Sequence, residues 1–562
     1  MYQSMPNRDP AEAAALLADM AKLLELSGEN PFKTRAFERA AENISATAGE
    51  ELERRARDGT FTEIPGVGKA IAEVLAEFVL SGTSRARSEL IAHLPQGLLE
   101  LVKIPGLGPK KARLLLSELH IKSIDGLAAA CLEGRVARVK GFSEKSQKTI
   151  LDGIALVSSS AGRMRLVDAL EHSGLIIRSI AEAVNRGRHP AAGVLRVCET
   201  GTLRRRLETV EALDFLVELP PGRKHEEEAR KAALAAVSGY SKSSSPGAPV
   251  RVDFAATKDF GSALVKSTGT PEFLEALGAR AGGFASEEDW FKNAGVPFVA
   301  PELREGAGAV EHARAGRLED IVSERDVQGT FHNHTTWSDG RLALEELVMA
   351  AARMGYRYIG IADHSQSAHY ARGLKPTDVL EQAKEVEAVR KRHKGIRIFH
   401  GIESDIRADG SLDYGPEILS VLDFVVASVH SGFKMSHEEM TARVMKALKN
   451  PFTRILAHPT GRLLLERRPY DVDVEALIAE ASRTGVAVEI NANPARLDLD
   501  WRHGPHVRKT GCMIAINADA HDEAGLHEAH FGVTVARKML LPRAQLLNAL
   551  EPERTAAWLR RS

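Results

Sequence analysis

The sequence has almost nothing with which to cross-link itself. Its 562 residues include three cysteines, Cys131, Cys198 and Cys512, far apart and with no CxxC pair. That scarcity speaks against a disulfide framework and a zinc ribbon, and suits a reducing compartment. Long apolar runs are missing too: no stretch approaches the ~18–20 residues that span a bilayer. The opening MYQSMPNRDPAEAAALL lacks a charged-then-apolar leader pattern. A cytoplasmic protein with no membrane partner is expected. Net charge is also lacking, with 75 Lys and Arg against 76 Asp and Glu, so the total favours no class of partner.

What is present suits a globular chain, 44% hydrophobic and 27% charged. It is too long for one core and predicts roughly three or four domains. The charge is unevenly spread. Residues 1–100 carry 11 Lys and Arg against 16 Asp and Glu, whereas residues 101–150 carry 10 against 4. A basic segment inside a neutral chain marks a place for an anion.

Residues 10–85 space their apolar positions as helices do. A short signature then recurs as EIPGVGKAIAEVL (Glu63–Leu75), KIPGLGPKKARLL (Lys103–Leu115) and, more weakly, RVKGFSEKSQKTI (Arg138–Ile150). Each places a glycine turn before an amphipathic stretch, and the repetition is itself organisation. Glycine lets backbone N–H groups approach a phosphate closely, and the following helix N-terminus adds partial positive charge. Gly66, Gly68, Gly106 and Gly108 are the turn positions; Lys110, Lys111 and Arg113 supply full charges. Such contacts hold a nucleic-acid backbone without reading its sequence. A plain glycine turn between packed helices is the alternative, and two near-identical copies oppose it.

Between residues 190 and 300 the β-like runs LDFLVEL and VRVDFAA alternate with helical segments, which predicts an α/β domain with Lys242–Pro249 as a connector. The polar stretch Val310–Val327 reads as a link. From Gln328 onward YIGIAD, IRIFHGIES, FVVASVH, RILAHP, VAVEINAN and MIAINADAH alternate with helical stretches, the rhythm of a (β/α) barrel. Nearly every one of these strands ends in a possible metal ligand: His332 and His334, Asp339, Asp363 and His364, His400, Glu403, His430, His458, Asp519 and His521. Strand ends of a parallel barrel converge on one face, and His-x-His points both rings to one side. Imidazoles and carboxylates suit Zn²⁺, Mn²⁺ or Fe²⁺. A lone histidine is usually a packed or solvated residue, but so many at strand ends make a metal centre. Arg372 and Arg462, just beyond two strands, are candidates to hold a phosphate.

HNHTTWSDG (His332–Gly340), ADHS, HGIESD, SVHSGF, LAHP and NADAH resemble, in order, the motifs of the PHP (polymerase and histidinol phosphatase) family. The resemblance implies three metals: one on His332, His334, Glu403 and Asp519, a second on Glu403, His430 and His458, a third on Asp339, His364 and His521. His400 lies outside the motifs and is supportive. Phosphate-ester hydrolysis would follow, with Glu403, Asp519, His332 and His334 as its catalytic residues. IPGVG and IPGLGPKK resemble helix-hairpin-helix motifs, and nearly the whole chain resembles bacterial family X DNA polymerases with a C-terminal PHP domain. A multidomain α and α/β chain is thereby implied. Residues 1–88 would form a helical helix-hairpin-helix domain and 89–160 a fingers-like one. A nucleotidyltransferase-like palm and thumb (EEDWFKNAGVPFVAPELREG, Glu287–Gly306) would occupy 161–308, a linker 309–327, and a (β/α)7-like PHP barrel 328–562.

The sequence departs from that family in the palm. The nucleotide-binding turn GTLRR keeps Gly201, the Thr202 hydroxyl and Arg205, and the third family aspartate survives as Asp253. The carboxylate pair, however, reads Glu211-Ala212-Leu213-Asp214. Two-metal nucleotidyl transfer needs bridging anionic oxygens. Ala212 offers none, and Glu211 would point to the opposite face of a strand. Lys266-Ser267 replaces an aromatic pair, and Val74 stands where the family's lyase has its lysine. Polymerase activity is therefore expected to be lost, with little left to hold Mg²⁺ at the palm. The leading expectation is a monomeric 3′-5′ exonuclease or related 3′-end or abasic-site processing enzyme of DNA repair, acting on gapped, nicked or 3′-recessed DNA. An active gap-filling polymerase with an exonuclease is opposed by Ala212, and a non-catalytic DNA-binding scaffold by the full ligand set. The hairpin repeats oppose a small-molecule phosphatase.

Overall fold

A glycine with positive φ begins each recurring signature: Gly66 at 79°, Gly106 at 85° and Gly141 at 96°. Side-chain-bearing residues rarely adopt that conformation, so the turn depends on glycine. Ile64 and Val67 in the first copy, and Ile104 and Leu107 in the second, are buried on either side. The I-P-G-[V/L]-G pattern is thus a turn nailed down at both ends. The next helices start at Lys69, Pro109 and Glu144.

The computed structural model describes residues 10–45, 47, 49–186, 194–244, 247–278 and 282–560, and the chain divides into units Met1–Ala161 and Gly162–Ser562. The described part of the first unit is helical, around two cores. One gathers Leu17, Phe37, Ile44, Leu75 and Val79, and also buries Val74; the other gathers Leu101, Ile104, Leu115, Leu127 and Ile150.

The second unit opens with β1 (Met164–Arg165), β2 (Val197–Glu199), β3 (Thr209–Val210), β4 (Leu213–Leu219) and β5 (Val250–Ala256). A short ribbon pairs β1 with β3, while β4 runs between antiparallel β2 and parallel β5. LDFLVEL and VRVDFAA are β4 and β5 end to end. Helix Arg223–Ser244 runs into the expected connector, of which Ser245 and Pro246 lie outside the described residues. The thumb segment packs Trp290, Phe291, Val299 and Leu303 with Phe273 into a core of their own. The stretch 309–327, expected to be a linker, is folded into that core. Helix Ala307–Arg314 buries Ala309, Val310 and Ala313 there, beside Ile321 and Leu540. A few apolar residues on one helix face are enough to dock it, although the segment is polar on average.

Seven parallel strands follow in chain order around the barrel: β6 (Gly329–Thr330), β7 (Tyr358–Ile361), β8 (Arg397–Asp405), β9 (Phe424–Ser428), β10 (Thr453–Leu456), β11 (Ala487–Asn491) and β12 (Ile514–Asn517). They are buried nearly throughout, which is why they read as continuous apolar runs and not as alternating ones. Between β6 and β12 two asparagine side chains bridge the ring, and Asn517 on β12 accepts the Phe331 N–H (2.9 Å). Asn548, fully buried, donates from Nδ2 to the carbonyls of Gly329 and Ile516 (both 2.8 Å) and accepts the Ile516 N–H (2.7 Å). A carboxamide carries a donor and an acceptor together, so it fills a gap in a ladder.

Charged residues join the palm and thumb to the barrel. The Lys538 side chain is buried and paired with Glu305, whose other oxygen lies 3.1 Å from Arg205. Arg537 donates to Glu302 (2.8 Å), and Arg502 (2.7 Å) and the Trp501 indole (3.3 Å) donate to Glu208. A buried ammonium survives only with such a partner.

Candidate metal centre

At the C-terminal ends of the barrel strands the expected donors meet around Glu403. One oxygen of this buried carboxylate lies 3.4, 3.3 and 3.1 Å from the Nε2 atoms of His332, His430 and His458. The other lies 2.7 Å from His364 Nδ1 and 3.8 Å from His334 Nε2. Asp519 comes within 3.0 Å of His334 and 3.6 Å of His332. Asp339, from the loop after β6, is 3.3 Å from His521, 3.7 Å from His364 and 3.9 Å from His334. Three sets of donor atoms lie within 4.8 Å of one another: His332, His334 and Asp519; His364, Glu403 and His430; and His334, Asp339, His364 and His521. One grouping is wider than expected, because His334 joins Asp339, His364 and His521; the first lacks Glu403, and the second has His364 where His458 was expected.

The donors fit divalent cations. Among the described residues His332 Nε2 and His334 Nδ1 are buried without a hydrogen-bond partner. Such orphaned groups cost roughly 1–3 kcal/mol each unless something else satisfies them. The backbone is strained at two donors as well, with φ of 24° at His458 and 56° at Asp519, and such conformations cluster at functional sites.

Burial opposes charge throughout the cluster, and the neighbours decide the outcome. Burial would raise the Glu403 pKa, but His364, His430 and His332 hold it well below its ordinary value. Asp519 is likewise held low against burial by His332 and His334, and Asp339 is lowered to about 2 against burial by His521, His364 and His334. Against burial, Asp519, Glu489 and Glu403 push His332 well up; Glu403 and Asp405 raise His430 to about 10, and Asp339 and Asp519 raise His521 to about 9. His334 goes the other way, to about 4, through burial and then His364 and His521. These neighbours push the carboxylates toward the ionised form and His332, His430 and His521 toward the protonated one. Metal binding would displace those protons.

The palm is different. Register pairs Asp214 with Arg251 and Leu216 with Asp253, so Asp214, Arg251 and Asp253 share one face. Arg251 lies 3.8 Å from Asp214, whose pKa burial raises. Ala212 is buried, and Glu211 turns outward to Arg163 at 3.1 Å. Gly201, at φ 59°, sits so close to Asp214 that a Cβ would fall 2.9 Å from its carboxylate. Half-buried Thr202 follows. Arg205 donates to the Thr268 carbonyl (2.6 Å) besides pairing with Glu305, and Lys266 lies over the Trp290 ring at 5.5 Å.

In the hairpins Gly68 and Gly108 begin their helices with no side-chain cap, and a Cβ at either would meet nothing within 4 Å. The third copy instead has Ser143, whose Oγ accepts the Ser146 N–H (3.2 Å). It therefore supplies its own cap. Lys110 and Lys111 are exposed, the former 3.5 Å from Glu25 and the latter 5.9 Å from the centre of the Phe142 ring. Arg113 donates to the Glu25 carbonyl at 3.4 Å.

Comparison with known proteins accounts for this arrangement. A helix-hairpin-helix domain matches residues 5–84, a SAM-like helix-hairpin-helix tandem residues 98–155, and a PHP domain residues 330–492. The DNA polymerase/3′-5′ exonuclease PolX of Bacillus subtilis is 33% identical over 580 residues, spanning 97% of this chain and 98% of that protein. The chain belongs to the PolX family. Probable phosphatases of Caldicellulosiruptor bescii and Caldicellulosiruptor saccharolyticus are 29% and 30% identical over 33% and 34% of the chain, and 75% and 78% of their own lengths. As a PolX protein with helix-hairpin-helix and PHP domains, it is a DNA-binding enzyme whose histidine and carboxylate cluster suits divalent metal. No helix among the described residues is long and apolar enough to cross a membrane.

Several residues of this PolX chain hold the cluster in place without having stood out in the sequence. Glu489, fully buried on β11, lies 2.9 Å from His332 Nδ1 and accepts the His458 N–H (3.1 Å) and the amides of Asn491 and Asn517 (both 3.0 Å). It fixes the His332 proton on Nδ1 and leaves Nε2 facing the cluster. Asp405 does the same for His430 at 2.6 Å. The one available signal was a carboxylate in the middle of the apolar run VAVEI. Two expectations need correction. Asp363 is not turned to the cluster: it accepts from Thr335, Ser338 and Gln382, and so ties down the HNHTTWSDG loop. Arg462 is buried, donating to the Arg496 and Leu497 carbonyls and to Asp500, so it has no fork left for a phosphate. Arg372 is exposed. His400 contacts Gln382 (3.0 Å), and burial takes its pKa down to about 4, which keeps it neutral.

Proposed function

We propose that this PolX protein is a DNA 3′-end phosphoesterase, a 3′-5′ exonuclease or related end-processing hydrolase, whose palm no longer polymerises. The contrast between its two carboxylate sites carries the reading. The barrel holds eight convergent donors, with His458 beside them at Glu403 and some of them short of partners, whereas the palm has a methyl group at Ala212 and Arg251 beside Asp214. His332, His334, Glu403 and Asp519 would hold one cation, His430 and His458 a second shared through Glu403, and Asp339, His364 and His521 a third. When bound, divalent cations such as Mn²⁺, Zn²⁺ or Fe²⁺ acidify water and stabilise the charge that builds on phosphate oxygens. Glu489 and Asp405 orient the imidazoles, and the pinned Asp339 loop closes one side.

DNA would be held by its phosphates at the Gly66–Gly68 and Gly106–Gly108 turns, whose helix N-termini are uncapped, with Lys110, Lys111 and Arg113 adding charge. The self-capped third copy takes no phosphate. Gapped, nicked or 3′-recessed DNA is the substrate class, and a monomer suffices. End-labelled gapped DNA incubated with the protein and Mn²⁺ or Zn²⁺ should shorten, with or without dNTPs. A gap-filling polymerase keeps one observation in its favour, the shared face of Asp214 and Asp253; lengthening with dNTPs would establish it and overturn a silent palm.

A further inference from the structure

Tyr370 is 71% exposed, yet nothing about its position is loose. It sits in the turn His369–Ala371 that follows β7. Its ring lies edge-on to two rings of the cluster, 6.0 Å from His364 and 6.2 Å from His430. The loop beneath it is fixed at both ends. Gly373 N donates to the Ala368 carbonyl (3.0 Å) and Leu374 N to that of His364 (2.8 Å). Buried Asp413 accepts from Ser365 Oγ (2.8 Å), Ser367 N (2.7 Å) and Ser367 Oγ (2.5 Å). Ala368 and Ala371 on either side of the ring are buried, and a Cβ on Gly373 would fall 1.9 Å from the Ser365 carbonyl, so the chain has no slack there.

A solitary exposed tyrosine is ordinary. An exposed ring presented by a rigid loop against a hydrolytic cluster is not, because an unused aromatic face at that place wastes both the order and the apolar area. Exposed His369 and Arg372 flank it, so the rim also favours an anionic polymer. Bases stack on aromatic rings whatever their sequence, since every base has a π-face. A nucleotide's base lies one sugar away from its phosphate, and the Tyr370 ring abuts the cluster at that remove. Resting on the function proposed above, we propose that Tyr370 is the platform on which the base of the 3′-terminal nucleotide stacks while its phosphodiester lies in the cluster. The site would then distinguish an ordinary 3′ end from one that has lost its base.

The test compares two labelled oligonucleotides alike except that the 3′-terminal residue is a normal nucleotide in one and a tetrahydrofuran abasic analogue in the other. The wild-type protein, Tyr370→Phe and Tyr370→Leu are assayed with Mn²⁺, and bound metal is measured for each. Wild type should prefer the base-bearing end. Tyr370→Leu should lower the ratio of kcat/KM for the two ends by about 10-fold, the scale of one base–aromatic contact, with KM for the base-bearing end carrying the change and bound metal unaltered. Tyr370→Phe, which keeps the ring, should keep the ratio. An unchanged ratio in Tyr370→Leu overturns the platform, as does equal cleavage of both ends by wild type. A Phe variant that falls as far as the Leu variant also overturns it, since the hydroxyl and not the ring would then matter. Wild-type protein that cuts neither end defeats the function proposed for the cluster itself, and the platform with it.

Discussion

The palm and the barrel of this PolX chain both set carboxylates on parallel strands, and they treat them in opposite ways. In the barrel the protein's own partners do not satisfy every donor: buried nitrogens of His332 and His334 are left over, and the carboxylates push neighbouring histidines toward the protonated form. In the palm, Asp214 lies beside Arg251, Glu211 pairs with Arg163, and Arg205 pairs with Glu305. A site kept ready for cations stays electrostatically unfinished. One whose groups pair with one another fills its valences from within.

The sharpest way to break this contrast is Glu403→Ala. Glu403 touches more cluster imidazoles than any other donor, so hydrolysis of labelled DNA should fall to background and bound metal should drop, while binding of gapped DNA persists. Full activity would end the account of the barrel. The same variant exposes the palm, because an active exonuclease could erase a slow polymerase's product. With Ala212 untouched, Glu403→Ala protein should show no template-directed extension with Mg²⁺ or Mn²⁺. Adding Ala212→Asp should recover partial extension at most, since Arg251 and Lys266-Ser267 remain. Robust extension before that change would make the palm a live site and dissolve the comparison.

A smaller effect sharpens it. Glu489→Ala removes the group that orients His332 and should cost about 10–100-fold in metal affinity or activity; Glu489→Gln, which can still accept a hydrogen bond, should recover part of the loss. Equal activity in all three proteins would mean that the cluster orients itself. Smallest is the change expected at the hairpins. Replacing Lys110, Lys111 and Arg113 with alanine should weaken DNA binding across unrelated sequences and flatten its salt dependence by roughly one unit per lost phosphate contact. Arg113 already donates to the Glu25 carbonyl, so the lysines should account for most of the drop. An unchanged slope would put the DNA elsewhere.

The barrel was legible because its strands are buried on both faces and its chemistry sits at their ends, where a histidine or aspartate interrupts an apolar run. LDFLVEL was legible for the first of those reasons, and VRVDFAA, an edge strand mostly open to solvent, for its run of β-branched and aromatic residues. Roles set by distant contacts were not. Glu489 and Asp363 are carboxylates beside strands, just as Glu403 and Asp519 are, and only their neighbours make them supports. Arg462 looked free to hold a phosphate until three acceptors enclosed it. The docking of residues 309–327 was hidden because averaged polarity conceals a narrow apolar face.

Lys538 carries a consequence for the history of the gene. Its ammonium has no water to fall back on, and its counter-charge, Glu305, belongs to the thumb. Removing one member of a buried ion pair costs about 3–5 kcal/mol, a large fraction of what holds an ordinary domain folded. A lineage that kept the hydrolase and deleted an idle palm would strand Lys538 at once, and Arg537 and Arg502 would lose Glu302 and Glu208 in the same event. Selection on the barrel alone is then enough to preserve the palm's fold, as masonry for its neighbour.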